Sequence, residues 1–361
     1  MALKYKWLME QIKKLIELDM KKGIDKLPTE YELCQMYQVS RQTTRQALSL
    51  LEKEGVITKR HGSGTYITGL SPNSSENTIT LLVCESKDYI YPNLIQGICN
   101  TLYQHGYSTQ LFETNNRSYK EREILRNLIA SPPRGLIVEG CKTALPNPNL
   151  ELYARLKKKG VRILFLNNYY PALLPCLYMK DNNLQGSRML VQYLTEKGHT
   201  AIGGFFHAED LQGLERFQGF LEEMYHQKLM VPDHRIAWFR SLDLERLRQS
   251  NDTQFIKKAV QECFRSCTAI ICYNDEIAYW LIKCLQQMHY NIPQDKSIVS
   301  FDNSYFCNSE SLPITSATHA PNEVGIQAAL SMIDLLKGLP MVSKELTWKL
   351  VERYSSAAIT D

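Results

Sequence analysis

Apolar positions near the start of the chain recur with helical spacing. Leu8, Ile12, Leu15 and Ile16 fall three or four residues apart, which predicts a helix over residues 4–19. "LPTEYELCQMY" follows. Pro28 cannot continue a helix, and Thr29 with Glu32 makes a capping box, so a second helix is expected from Glu30 to Tyr37. Ser40 should cap a third helix ending near Gly55. On a helical wheel, Thr44, Ala47, Leu48 and Leu51 share one side of this third helix. Gln42, Arg45, Gln46 and Ser49 share the other, with Arg41 beside them and no acid before Glu52. A solvated face usually mixes acids with bases to gain i,i+4 pairs, so this pattern predicts arginines without partners. Val56–Lys59 and Thr65–Thr68 read as two short strands around the glycine-rich tip "RHGSG". Three helices and a hairpin, with a short turn between the second and third helices, make a winged helix-turn-helix.

The pattern changes at "GLSPNSSENT", residues 69–78, which has no apolar periodicity and reads as a linker. It separates an expected domain over 1–68 from a body over 79–361. In the body, short apolar runs alternate with amphipathic stretches. "TITLLVC", "STQLFET", "RGLIVEG" and "VRILFLN" read as strands with helices between them, and the rhythm restarts after "LYMKDN". "TAIGGFF", "TAIICY", "KSIVSF" and "ITSATH" are the second set of strands, and a last helix covers 322–337. Such alternation predicts an α/β fold of two doubly wound lobes with a cleft between them.

Ligands in such folds bind beyond the carboxyl ends of the strands. The residues that follow the strands are Asp88, Tyr89 and Tyr91, Glu139, Asn167, Asp181, His207 with Arg216 further on, Asn274, Asp302 and His319. Carboxylates, amides, an arginine and flat rings suit a small polyhydroxylated ligand, whose hydroxyls both donate and accept. Each residue also has an ordinary reading as a turn or cap; Asn274 in particular stands where a helix N-cap is expected.

Charge sharpens the division. Residues 1–68 hold twelve Lys and Arg against eight Asp and Glu, a surplus of four that equals the net charge of the whole chain, +4. The body is therefore neutral and the head basic, as expected of a DNA reader on a sensing body. In a helix-turn-helix the second helix of the pair enters the major groove. Arg forks onto guanine, Gln pairs with adenine and Ser or Thr suits either. The candidate DNA contacts are Thr29, Ser40, Arg41, Gln42, Thr43 and Arg45, with Lys59, Arg60, His61 and Gly62 on the wing.

The chain of 361 residues has 44% hydrophobic and 22% charged residues, the proportions of a globular protein. No apolar run approaches the roughly 18–20 residues needed to span a membrane. The charged start "MALKYKWLMEQIKKLIELDM" is unlike a signal peptide, so a cytoplasmic location is expected. Ten scattered cysteines show no metal or disulfide spacing and read as small buried hydrophobes. No metal or cofactor is expected. An enzyme acting on sugars with cleft carboxylates is the competing class, but no phosphate loop or nucleophile motif accompanies them.

"LPTEYELCQMYQVSRQTTRQALSLLEKEGVITKRHGSGTYIT", residues 27–68, resembles the DNA-binding domain of the GntR family of bacterial transcription regulators. The resemblance implies DNA contacts from Ser40, Arg41, Gln42, Thr43 and Arg45, and a wing that places His61 and Gly62 in the minor groove. Tyr31 stands where many relatives carry an arginine, which removes a phosphate contact from the second helix. "LIQGICNTLYQHGY", "DLQGLERFQGF", "TAIICYNDEIA" and "KSIVSFDNS" resemble the LacI/GalR regulators and their periplasmic sugar-binding relatives. The pairing of these two halves is similar to the arabinose-repressor family. That resemblance implies a homodimer on double-stranded operator DNA, released by L-arabinose or a related small sugar, with Arg216, Asn274 and Asp302 as the leading sugar contacts. Glu139 falls where relatives often carry a neutral amide or another polar group. A nucleoside or nucleobase effector is the alternative, sandwiched between two of Tyr89, Tyr91, Tyr169 and Tyr170.

Overall fold

The computed structural model describes residues 2–21, 26–53, 56–60, 64–67, 77–308, 312–320 and 322–359. They form two compact units, Met1–Ser75 and Glu76–Asp361. Of the linker expected over 69–78, residues 69–76 lie outside the described residues, as does the third helix's expected end at Gly55, while Thr78 already belongs to the first strand of the second unit.

The first unit contains α1 (Ala2–Lys21), α2 (Glu30–Tyr37), α3 (Arg41–Lys53) and the antiparallel hairpin of β1 (Ile57–Arg60) and β2 (Gly64–Ile67). The capping box is present. Thr29 N donates to Glu32 Oε2 at 2.7 Å, and Glu32 N donates to Thr29 Oγ1 at 3.3 Å. Gln38 ends α2 in the left-handed region (φ 52°), and the chain turns straight into α3. Leu8, Ile12 and Ile16 of α1 meet Leu33 of α2, and Ala47, Leu48 and Leu51 of α3 in one core. Thr44 is fully buried among them and returns its hydroxyl to Ser40 O at 3.3 Å.

The second unit alternates strands and helices. It begins β3 (Thr78–Val83), α4 (Tyr91–Gln104), β4 (Ser108–Glu113), α5 (Ser118–Ala130), β5 (Gly135–Val138), α6 (Leu150–Lys158), β6 (Arg162–Leu166) and β7 (Tyr178–Asp181). It continues α7 (Asn183–Glu196), β8 (Ile202–His207), α8 (Leu211–His226), β9 (Ile236–Phe239), α9 (Ser241–Ser250), α10 (Gln254–Glu262), β10 (Ala269–Cys272) and α11 (Asp275–Gln287). It ends β11 (Ser297–Phe301), β12 (Thr315–Thr318), α12 (Glu323–Leu336), β13 (Lys344–Leu346) and β14 (Lys349–Val351). One six-stranded sheet runs β13-β7-β6-β5-β3-β4 and the other β14-β12-β11-β10-β8-β9. All neighbours are parallel except β12 and β14.

Period-2 alternation sends side chains of each strand to opposite helical layers. Ile79, Leu81 and Val83 face α4 and α12, while Leu82 faces α5 and α6. In the second lobe α7 and α8 cover one face and α9 to α11 the other. Two glycines allow backbones to touch. A Cβ at Gly219 would come within 2.4 Å of Leu184 O, and one at Gly325 within 2.5 Å of Leu94 O. They set the α7–α8 and α4–α12 crossings.

The body differs from the expected pair of consecutive halves. The final helix α12 belongs to the first lobe, and β13 extends the first sheet before β14 extends the second. The chain therefore crosses between lobes three times, after Asp181, after Thr318 and between Leu346 and Lys349. The segment 228–267, unassigned from the pattern, holds β9, α9 and α10.

Candidate functional site

In the first unit, α3 presents Arg41, Gln42, Arg45, Gln46 and Ser49 on its exposed side, with Thr43 half-buried. Ser40 Oγ accepts from Thr43 N at 3.3 Å and caps the helix as expected. The expectation of unpartnered arginines is overturned. Arg45 Nε donates to Glu30 Oε2 at 2.9 Å, an acid from the start of α2 that no wheel of α3 could show. Arg41 lies over the Tyr31 ring, 5.9 Å from its centroid. Tyr31 therefore packs beside an arginine of the reading helix. Both arginines stay exposed, and a solvent-exposed pair such as Arg45–Glu30 holds little free energy. His61 and Gly62 lie outside the described residues, as do the side chains of Lys59 and Arg60 on β1.

In the second unit a cavity of about 600 Å³ opens between the lobes, at the carboxyl ends of the strands. Asp88, Tyr89, Tyr91, Glu139, Asn167, His207, Arg216, Asn274 and Asp302 all line it. Glu139, beyond β5, is buried. It accepts from Cys84 N at 2.9 Å, Asn167 Nδ2 at 2.9 Å and Tyr91 OH at 3.1 Å. Burial pushes its carboxyl up, and those three donors pull the other way. Asn274 does cap α11, accepting from Ile277 N at 3.0 Å, and also lines the cavity. His207 Nδ1 sits 2.7 Å from Asp210 Oδ2, which also accepts from Tyr273 OH at 2.9 Å.

Arg216 is the centre of the far wall. Only 2% exposed, it donates from Nε to Asn183 Oδ1 at 3.0 Å, from Nη1 to Tyr273 O and from Nη2 to Asp302 Oδ1 at 3.4 Å. Its guanidinium also lies over Phe301, Tyr273 and Trp348, at 4.2, 4.8 and 5.6 Å. Asp302 holds two partners from opposite lobes, since Tyr89 OH donates to its Oδ2 at 2.5 Å. Tyr89, Asn167 and Asp302 have φ of 63°, 62° and 96°. Left-handed backbone is strained for a tyrosine, while Asn and Asp are the side chains that tolerate positive φ best.

Two expected contacts fall elsewhere. Asp181 and His319 line an adjoining cavity of about 290 Å³, which shares Tyr89, Asn167 and Asp302 with the first, and their Oδ1 and Nε2 are 2.8 Å apart. The two atoms approach without hydrogen-bond alignment. His319 also stacks on Trp348, with centroids 4.0 Å apart. All three residues stand where the chain crosses between lobes, so these strand ends lie at the hinge, beside the main cavity. Of the four tyrosines offered for an aromatic sandwich, Tyr89 and Tyr91 line the main cavity, and Tyr169 and Tyr170 do not. Tyr170 is buried under α5 and α6 with its hydroxyl on Glu121 at 2.6 Å, and Tyr169 stacks on Tyr178. The pattern missed Glu85, Tyr273, Ser241 and Arg248, which line the cavity too. Tyr273 ends the run "TAIICY" and could have been read by the strand-end rule; Arg248 lies on the unassigned α9.

The three cavity arginines are each paired with a carboxylate: Arg216 with Asp302, Arg248 with Glu276 and Arg117 with Glu245. Among the described residues no group of three or more His, Cys, Asp or Glu is placed to hold a metal, and no helix is long and apolar enough to cross a membrane. All ten cysteines are free.

Asp275, behind Asn274, is fully buried and accepts from Ser300 Oγ, from Ser316 Oγ at 2.7 Å and from Ser304 N at 2.6 Å. Burial, with repulsion from Asp302, pushes its carboxyl up to about 6. The folded value lies above the unfolded one, so the folded state holds the extra proton between about pH 4 and 6. Its contribution to stability is then lost as pH rises through that window, by about 3 kcal/mol in all. Asp275→Asn is expected to gain on the wild type as pH rises from about 4 to 7. Calorimetric melts across this range check it; parallel pH slopes for the two proteins would assign the titration to another group.

A winged reader and a two-lobed body with a polar cleft define a ligand-responsive transcriptional regulator. Residues 4–67 match the bacterial regulatory proteins of the gntR family, and residues 191–356 a periplasmic binding protein-like domain. The chain is 34% identical to an arabinose metabolism transcriptional repressor of Geobacillus stearothermophilus, over 92% of this chain and 91% of that one. It is 28% identical to a protein of the same description from Halalkalibacterium halodurans, over 93% and 90%. A solved complex of the transcriptional regulator CelR with cellobiose shares the fold, with a TM-score of 0.67 and 18% identity over 91% of this chain and 100% of that one. The chain belongs to the family of arabinose metabolism transcriptional repressors, and is a sugar-responsive transcriptional regulator.

Proposed function

We infer that the protein is a cytoplasmic repressor that holds double-stranded operator DNA as a homodimer and releases it when L-arabinose, or a closely related neutral sugar, enters the cleft. In this reading the head is residues 1–68, the linker 69–78 and the sensing body 79–361. Ser40, Arg41, Gln42, Thr43 and Arg45 contact bases and phosphates, Thr29 stabilises the start of α2, and Lys59, Arg60, His61 and Gly62 form the wing contact. The observation that carries the sugar assignment is the convergence of Glu139, Asn167, Arg216, Asn274 and Asp302 on one cavity. These groups offer fixed donors and acceptors to hydroxyls, and the arginines are already neutralised, which favours an uncharged ligand over a phosphorylated one.

Asp302 links the two lobes to the switch. Its carboxylate is shared by Arg216 of the second lobe and Tyr89 of the first. A sugar hydroxyl at Asp302 competes with Tyr89 and closes the lobes in a new register. Closure acts on DNA through the paired heads, whose half-sites must keep their spacing of about 34 Å per turn. A complete reversal of occupancy requires about 5.5 kcal/mol of preference for the closed form. The test uses a duplex selected by the protein from a randomised pool, with anisotropy titrations in the presence of pentoses and hexoses. L-arabinose is expected to weaken binding; DNA affinity unchanged by the whole panel would remove the inducer role.

A further inference from the structure

The cavity is larger than one small sugar needs. Pockets of about 300–1,000 Å³ enclose drug-sized ligands, and a pentose of about ten heavy atoms fills only part of the 600 Å³ here. The lining also divides into two kinds. Glu139, Asn167, Arg216 and Asn274 are at least nine-tenths buried and form the inner end. Tyr119 and Lys120 at the start of α5, and Glu245 and Gln249 on α9, line the same cavity from the opposite lobes.

This outer part is walled. Arg117 pairs with Glu245 across the lobes, Asn116 Nδ2 donates to Ser241 Oγ at 2.9 Å, and Arg248 Nη1 lies 3.7 Å from Glu85 Oε2. The strand-to-helix turn that supplies it holds Asn115 and Asn116 both in the left-handed region, with φ of 50° and 52°. Tyr119, beside that turn, is 68% exposed although aromatic. An exposed ring at the mouth of a polar cavity matches the apolar C–H face of a sugar ring, while the hydroxyl edges face the amides and ion pairs around it.

We propose that the outer end is a second sugar subsite, so that the effector class includes disaccharides whose terminal unit occupies the inner end and whose second unit rests on Tyr119. This rests on the sugar assignment made above. The experiment is calorimetry on the full chain with L-arabinose, its α-1,5-linked disaccharide, D-xylose and xylobiose. The disaccharide of the better pentose is expected to bind about three- to tenfold more tightly than the pentose, the gain from one ring stacked on an aromatic side chain. Tyr119→Ala erases that gain, and Gln249→Ala reduces it, with the pentose affinity unchanged in both. Pentose binding with the disaccharide excluded or weaker, or a disaccharide gain that survives Tyr119→Ala, overturns the subsite and leaves the sugar assignment standing. Binding of none of the four overturns both.

Discussion

Arg216→Ala is expected to lower sugar affinity by about 100-fold or more, the scale seen when one partner of a buried, hydrogen-bonded charge pair is truncated. The side chain orients Asn183, holds the carbonyl of Tyr273 and neutralises Asp302 in one rigid fork. Its loss also destabilises the body, by about 3–5 kcal/mol, because Asp302 keeps a buried charge without its counter-ion. Burial already holds the Asp302 carboxyl above its usual range, and Arg216 is the chief group opposing that rise. Removing the arginine raises it further, so the stability deficit is largest near neutral pH and shrinks towards acid, where Asp302 takes up its proton. Arg216→Lys keeps the charge without the planar fork. It is expected to recover most of the stability and little of the affinity. Tryptophan fluorescence follows both effects, since Trp348 lies 5.6 Å from the guanidinium. Wild-type sugar affinity in Arg216→Ala would remove this residue from the site.

The double variant Arg41→Ala, Arg45→Ala is expected to weaken operator binding by about 100-fold, from contacts to base edges or phosphates. The two side chains are exposed and take no part in the head's apolar core, so the head should melt as the wild type does. Sugar affinity should also stay unchanged. Anisotropy at several salt concentrations separates the two kinds of contact, because each lost phosphate contact lowers the salt slope by about one. An unchanged operator affinity would dismiss α3 as the reading helix. Glu30 adds a detail. On DNA, Arg45 must either leave its carboxylate or bring it close to phosphate. Glu30→Gln is therefore expected to tighten binding modestly, and mainly at low salt.

Local rules carried the head well because its determinants are local. The capping box, the Ser40 cap and the inward stripe of Thr44, Ala47, Leu48 and Leu51 all involve residues within a few positions. Arg45–Glu30 escaped because its partners sit on different helices, 15 residues apart. In the body, strand ends located Glu139, Asn167, Asn274 and Asp302 because parallel strands deliver their carboxyl ends to one rim. The same rule led to Asp181 and His319, which line the smaller adjoining cavity at the crossings. Whether a strand end faces the cleft or a crossing depends on which sheet the chain enters next. That choice is made by β13 and β14, three-residue strands paired with partners far away in sequence. Runs so short carry almost no periodic signal.

The return of α12 and β13 to the first sheet has a consequence for biosynthesis. Leu94, Ile98 and Leu102 of α4 are covered by Ala328, Ala329, Met332 and Ile333. On a ribosome, the head can fold as soon as Ile67 has emerged, since none of its described core lies beyond that residue. The neighbouring lobe must wait with an apolar flank bare until almost the whole chain has been translated. A truncation before Glu323 would leave that flank uncovered, and neither lobe can be isolated by a single cut.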